Sequence, residues 1–584
     1  MNRLQFLGTT ILGFFKPPAP KEPEIKYMKR VNDTLIELLD SHTNEYVTFS
    51  KVTKHVDGSN MNDAKCDGVI YRKSGNEYFK RNFTGPINVK WFGAKGDGVT
   101  DDSDCFINCF KVSYYLSKQS GWRNNLKIFI PDGSYLITKT IIDSSTLNAR
   151  FVIQGTGWQN CELIYHPIDS YKYMLDNNQV FGFTTFDGIG FVSNFNGKFM
   201  NAVGGGSGNA QSFIFNRVKW TDFNKIIHST GPTMLSEVTF TDCKIVGGDT
   251  DSVFFHLENY QGVNWRFFGT DIESFKGVLF DYYQGQNINY YQGSIIPENG
   301  GIIMRVPFSA NPNFFGQTNS PYANFYGVRF ELRESSLLIV GSDDVPFTAN
   351  FNGCGLGGFN SQNVNAMVTN SKGLLNFDTC YNFGSFSMHH RCKNSNSPQD
   401  VLKIVFKNNA PSIEGLELST VEGGIYNYGL LPIIIFENCN NNAWFRPKSW
   451  GKKNFATKSD WLIKKHVHTI SSSTDDTYID GGGVGVVKSI DFILPSEFIF
   501  DAKFVFKNIF DGVNIAGDVY SIKIYNNDKS IIIASGEFET NKGLVLSYYY
   551  GRTTSLNEKI TIELTGVTVS NLRYGFAFLA VLEY

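Results

Sequence analysis

Phe215-Asn216-Arg217-Val218-Lys219-Trp220 and, 25 residues further on, Phe240-Thr241-Asp242-Cys243-Lys244-Ile245 are two settings of one pattern: an aromatic ring, a polar turn, then a lysine between apolar residues. Sliding that pattern along the chain gives aromatics at Phe215, Phe240, Trp265, Tyr290, Phe325, Phe351 and Phe377, spaced 25, 25, 25, 35, 26 and 26. A period of this length marks a solenoid, in which each repeat buries its apolar face only by stacking on its neighbours. The one long step contains the Asn- and Pro-rich stretch Arg305 to Pro321 and reads as a loop inserted into one coil.

Asn264, Asn289, Asn324, Asn350 and Asn376 each precede one of these aromatics, and amides stacked in register can hydrogen-bond along the axis. Three positions after the ring come mostly apolar residues, among them Cys243, Cys354 and Cys380. Five positions after come Trp220, Ile245, Thr270, Ile295, Phe330 and Leu356, while position four carries Lys219, Lys244, Gly269, Ser294, Arg329 and Gly355. Side chains alternate along a strand, so positions zero, three and five share a face only if the chain bends between zero and three. The corners of a parallel β-helix supply that bend. The spacing therefore predicts one stacked column holding Phe240, Trp265 and Tyr290, with the three cysteines as core fillers.

Composition agrees with an all-β chain: 56 Gly, 51 Phe and 28 Tyr accompany only 18% charged residues over 584 positions. A net charge of −2 with interspersed signs leaves no broad basic face for nucleic acid. The nine cysteines include no Cys-x-x-Cys pair, which argues against a disulfide framework and a clustered zinc site. Leu4 to Phe15 is apolar but runs into Lys16-Pro17-Pro18 rather than a small-residue cleavage site, and it is too short to span a membrane. Met28, Val31, Leu35 and Leu38 fall at a/d spacing, predicting an amphipathic helix or a short parallel trimer seam.

Upstream of the repeats, Trp91-Phe92-Gly93-Ala94-Lys95-Gly96-Asp97-Gly98-Val99-Thr100-Asp101-Asp102 resembles the opening motif of the pectate-lyase-like β-helix superfamily, in the version found in phage tailspikes. An amphipathic segment with Phe106, Phe110 and Tyr114 follows, then Ile128 to Ile137 and Val152 to Gly157, which in that family form the capping helix and first coils. The resemblance implies a right-handed parallel β-helix over 86–450, an N-terminal attachment and trimerisation region over 1–85, and a C-terminal β-sandwich over 451–584. It further implies a homotrimer carried on the phage tail or baseplate through its N-terminus, with no membrane partner and no cofactor. Such a spike would bind and depolymerise a bacterial capsular polysaccharide. Within the motif, Gly96-Asp97-Gly98 reads as a turn, and Asp101 or Asp102 as a cap of the following helix.

Hydrolysis of a glycosidic bond ordinarily needs two carboxyl groups. The 25-residue register gathers Asp271, Glu273, Glu298 and Glu331 on one outer face of neighbouring coils, with Glu273 and Glu298 predicted about 5 Å apart, one rung spacing. Arg333, Tyr282, Tyr283, Tyr291 and Phe314 are the candidate sugar-binding residues. A polysaccharide lyase acting by β-elimination, with Arg329 and Arg333 neutralising a uronate, and a non-catalytic adhesin are the alternatives. A second constellation, His256, Asp281, Arg305 and Asp343, falls at similar offsets further round the coil. His389-His390 and His466-Val467-His468 lack acids at ligand spacing, so no metal site is expected.

Overall fold

A computed structural model of the chain describes residues 28–119, 127–143, 150–177, 182–203, 212–231, 236–259, 262–283, 287–306 and, with short breaks, 321–381; beyond these it gives mainly the course of strands. The protein is a right-handed parallel β-helix flanked by antiparallel sheets at both ends. Each coil from Lys127 to Val368 contributes one strand to each of three long sheets, and the later coils add strands to two of them. Face I contains Thr239–Thr241, Trp265–Phe268 and Asn287–Tyr291; face II contains Lys244–Val246, Asp271–Phe275 and Ser294–Pro297; face III contains Val253–Leu257, Val278–Tyr282 and Ile302–Val306. Every one of these strands pairs in parallel with its equivalents in the coils before and after.

The bend demanded by the alternation argument lies two residues after each core ring. Arg217, Asp242, Gly269, Gln292, Gly327, Gly353 and Thr379 all hold positive φ there, turning face I into face II. The next position points inward, which places Cys243, Cys354 and Cys380 in the core as expected.

The stacked column is formed by Phe186, Phe215, Phe240, Phe267, Tyr290, Phe325, Phe351, Phe377 and Phe406, with successive centroids 4.4 to 6.1 Å apart. Trp265 is not in it, contrary to the constant period. The structure pairs Phe240 with Phe267 and Phe267 with Tyr290, so these two coils span 27 and 23 residues. Trp265 pairs with Ile288 and fills the adjacent inward column. The amide ladder shifts accordingly. Asn324 donates to Asn289 at 2.8 Å and Asn350 to Asn324 at 2.9 Å, whereas Asn264 sits in a left-handed turn and Arg266 occupies the expected rung.

Helix Ser103–Gln119 closes the lower end of the core, with Phe106 edge-on to Tyr135 and Phe110 edge-on to Phe151. Its aspartates are structural, as their turn spacing implied. Asp97 accepts the amides of Val99 and Thr100, Asp101 accepts that of Ser103, and buried Asp102 accepts those of Lys95 and Gly96. Gly133 packs so closely here that a Cβ would lie 2.9 Å from the Gly96 carbonyl.

The proposed a/d seam is instead a β-hairpin: Met28–Asn32 pairs antiparallel with Leu35–Leu39, bringing Met28 opposite Leu38. Met28 and Val31 are exposed, while Ile36, Leu38 and Asp40 point inward at period two. Alternation over Leu35 to Asp40 outweighs a two-heptad coincidence too short to hold a helix alone. In the C-terminal region, where the resemblance implied a β-sandwich, Val487–Ile493, Lys559–Gly566, Val519–Tyr525 and Ile532–Glu539 make a four-stranded antiparallel sheet, and Ile499–Phe506 pairs with Leu544–Thr553.

Candidate functional site

Two outward surfaces carry the chemistry. On face II, Asp271 and Glu273 stand on the solvent side of one strand, two residues and therefore about 6–7 Å apart. Ser294 Oγ donates to Asp271 at 2.7 Å, and Lys244 Nζ pairs with Glu273 at 3.1 Å. Glu331, on the strand Arg329–Leu332, pairs with Arg329 and is mostly covered. Glu273 pairs with Ile296, and the next strand continues in register from Ser294–Arg329 and Ile295–Phe330. Glu273 and Glu331 are thus two rungs apart, about 10 Å.

The close Glu273–Glu298 pair is not formed. The longer coil before Phe267 moves Asp271 into the Lys244–Ser294–Arg329 column and Glu273 into the Val246–Ile296 column. A bulge at Ser274 then pairs Phe275 with Pro297, and Glu298, donating its N–H to the Phe275 carbonyl, lies at the corner towards face III. Three of the four predicted acids share a face; the fourth leaves it.

The predicted sugar-binding residues are dispersed. Tyr282 is fully buried and its hydroxyl has no partner among the described residues, so it is a core side chain and not a binding residue. Its strand Val278–Tyr282 is buried throughout, and the position one residue later, Tyr283, is the outward one. Tyr291 stacks outside face I between Phe268 and Tyr326, at 5.1 and 5.0 Å. Arg333 begins the corner after Leu332, where its N–H donates to Ser336 Oγ. Phe314 lies outside the described residues, as does Asp343.

Face III holds the second surface, which the correct register reveals as a continuous column. Asp143, Asp176, Asn201, His228, His256, Asp281 and Arg305 are strand partners in successive coils. Hydrogen bonds run along it. Asn201 donates to Asp176 at 2.9 Å, His228 Nδ1 is 3.3 Å from Asn201 Oδ1, His256 Nδ1 is 3.1 Å from Asp281, and Arg305 Nε is 2.7 Å from Asp281. Asp281 is 2% exposed although it faces outward, because His256 and Arg305 cover it. Burial works to raise its carboxyl, but the bonds from His256 and Arg305 outweigh that and hold it below the usual range. Burial, with help from the charge of His256, pushes His228 down to about 3, and burial also lowers Lys225. Tyr173 stacks on His228 and Tyr283 lies 4.8 Å from the His256 ring. Sequence reasoning found His256, Asp281 and Arg305 but missed Asn201, His228 and Glu258. Gly269, which like Gly327 and Gly353 lies two residues after a core ring, was the signal that would have fixed the register on Phe267 in place of Trp265.

Residues 86–273 match the family model for rhamnogalacturonase A/epimerase, pectate lyase-like, so this stretch carries the pectate-lyase-like pattern that the Trp91 to Asp102 motif announces. Among curated proteins, a glucan 1,3-beta-glucosidase of Cochliobolus carbonum is 43% identical over 58 residues, covering 9% of this chain and 7% of its own. The chain therefore spans a small fraction of that relative. Among solved structures, the tailspike gp49 of Acinetobacter baumannii bacteriophage Fri1, a capsular polysaccharide depolymerase, aligns over 92% of this chain and 95% of its own at 10% identity and a TM-score of 0.38. The tailspike of Acinetobacter baumannii phage AM24 aligns over 94% and 91% at 11% identity and 0.35. PfbA, a surface adhesin of Streptococcus pneumoniae, aligns over 67% and 97% at 8% identity and 0.35.

Proposed function

We propose that this chain is the receptor-binding spike of a bacteriophage, a homotrimer attached through its N-terminus, that binds a bacterial surface polysaccharide and depolymerises it by glycosidic hydrolysis. The tailspike form of the Trp91 to Asp102 motif and the pectate-lyase-like match over 86–273 support the class. The observation that carries the chemistry is the group of three outward carboxylates on face II. The Asp271–Glu273 separation of about 6–7 Å and the Glu273–Glu331 separation of about 10 Å bracket the 6.5–9.5 Å that leaves room for an attacking water, which favours inversion over retention. Lys244 and Arg329 each pair with one of these acids, Glu273 and Glu331 respectively, so both cations border the group. The stacked outer rings of Phe268, Tyr291 and Tyr326 offer a flat platform one corner away.

The test is a set of single amide variants, Asp271→Asn, Glu273→Gln, Glu298→Gln and Glu331→Gln, each assayed for shortening of a polysaccharide that the wild-type protein degrades. Loss of an acid or base should cost about 10² to 10⁴ in rate for two of the three face II acids, Asp271, Glu273 and Glu331, with Glu298→Gln near wild type. Wild-type rates in all four variants would remove face II from the mechanism.

One observation favours a second reading. Lys198, Lys225 and Arg305 cluster on face III and could neutralise a uronate carboxylate, which is what β-elimination requires. A product absorbing near 235 nm, the band of an unsaturated uronate, would select the lyase. Shortened chains without that band select the hydrolase, and binding without shortening an adhesin.

A further inference from the structure

The face III column fixes the same tautomer in two imidazoles, His228 through the preceding coil and His256 through the following one. An amide oxygen and a carboxylate oxygen can only accept, so the hydrogen bonds to Asn201 Oδ1 and Asp281 Oδ2 place a proton on Nδ1 of both His228 and His256. Each acceptor is itself anchored from behind. Asn201 must direct its NH₂ at Asp176, which turns its oxygen to His228, and Arg305 fixes the carboxylate of Asp281. In the neutral ring Nε2 then carries the lone pair. Nε2 of His256 lies 3.3 Å from Glu258 Oε2, so this ring nitrogen and the carboxylate converge on one point. His228, His256 and Glu258 each offer a donor atom within 4.8 Å of the others.

We propose that His228, His256 and Glu258 bind one divalent transition-metal ion of the zinc type. Two imidazole nitrogens and one carboxylate oxygen suit zinc and its first-row neighbours better than calcium or magnesium, which prefer all-oxygen sites. Metal–donor distances of about 2.0–2.2 Å put donors bound to one ion about 3–4 Å apart; His256 Nε2 and Glu258 Oε2, at 3.3 Å, already stand at that spacing, and all three donor atoms lie within 4.8 Å. The anchored Asn201 and Asp281 stand where ligand histidines ordinarily find an outer hydrogen-bond acceptor. Tyr173 and Tyr283 wall the two rings. Three protein ligands leave a coordination position for water or a sugar oxygen. The inference does not depend on which residues cleave the polysaccharide, because its readout is metal uptake.

The experiment uses the full chain, stripped with EDTA, titrated calorimetrically with Zn²⁺, and assayed for retained zinc by elemental mass spectrometry after desalting. One zinc per chain is expected. Glu258→Gln and His228→Gln should weaken uptake at least tenfold, and Asn201→Ala, which removes the acceptor that orients His228, about tenfold. His389→Gln/His390→Gln should leave it unchanged. Circular dichroism checks that each variant is folded, and Glu258→Gln, at a surface position, decides the matter if His228→Gln does not fold. No stoichiometric zinc in the wild type, or uptake that Glu258→Gln leaves at the wild-type level, would overturn the proposal.

Discussion

Arg81→Met is the sharpest test of how the N-terminal sheet is fixed to the solenoid. Arg81 and Asp40 are each 1% exposed at the side chain and meet at 2.6 Å, and the Arg81 guanidinium lies 4.1 Å over the Trp91 ring in the opening motif. Removing Arg81 leaves a buried carboxylate without its counter-ion, which typically costs about 3–5 kcal/mol. Asp40 keeps the amides of His42 and Thr43, at 2.9 and 3.3 Å, so the loss should fall near the lower end, about 3 kcal/mol. At about 2–4 °C per kcal/mol, the melting of this part should drop by about 6–12 °C. Asp40→Asn combined with Arg81→Met should recover part of the loss, since no charge is then stranded. The pH dependence has a definite sign. Burial tends to raise the Asp40 carboxyl, but Arg81 and the two amides together hold it below its ordinary value. Its contribution is therefore present above the unfolded carboxyl pKa of about 3.9 and is lost as pH falls through the lower folded value. Thermal melts of wild type and Arg81→Met from pH 7 to pH 3 check this. A gap constant down to about pH 4 that narrows below it is expected; equal midpoints at pH 7, or a gap that widens in acid, would refute the reasoning.

The register of the core makes a paired prediction: Phe267→Ala should destabilise by about 3–5 kcal/mol and its neighbour Phe268→Ala by less than about 1, because Phe267 is fully buried and Phe268 is 38% exposed. Denaturant melts showing the reverse order would put Phe268 in the column. Tyr282→Phe should leave both polysaccharide degradation and stability at wild type or slightly raise stability, since it removes a buried hydroxyl that lacks a partner; a loss of activity would restore it as a sugar-binding residue. Tyr291→Ala should weaken binding of the polysaccharide more than it slows turnover at saturation, as a platform residue would, and equal effects on both would argue against that role.

The solenoid was legible because its physics repeats: a ring, a left-handed corner, then inward positions at three and five, which any coil must satisfy to stack. The N-terminal hairpin was not, because Met28, Val31, Leu35 and Leu38 satisfy a heptad by chance while Ile36, Leu38 and Asp40 satisfy a strand, and only long-range pairing decides between them. The candidate site suffered from a two-residue error. Trp265 and Phe267 are both inward aromatics two positions apart, so a fixed step of 25 chose the wrong one. That slip moved Asp271 and Glu273 by one column each and brought Glu298 falsely beside Glu273. Faces are preserved by a shift of two along a strand, which is why three of the four acids still share face II. The face III column was only half visible because Asn201 precedes Phe215, the first ring of the repeat, and the strand Lys225–Thr230 carries the buried pair Ile226 and Ile227, which breaks simple alternation.

The central claim is depolymerisation, and it is tested most directly on a polysaccharide that the protein demonstrably binds. Size-exclusion chromatography with a reducing-end assay should show progressive shortening with one new reducing end per cut and no absorbance near 235 nm. Saturated binding that leaves the polymer at full length over the same period would contradict the account.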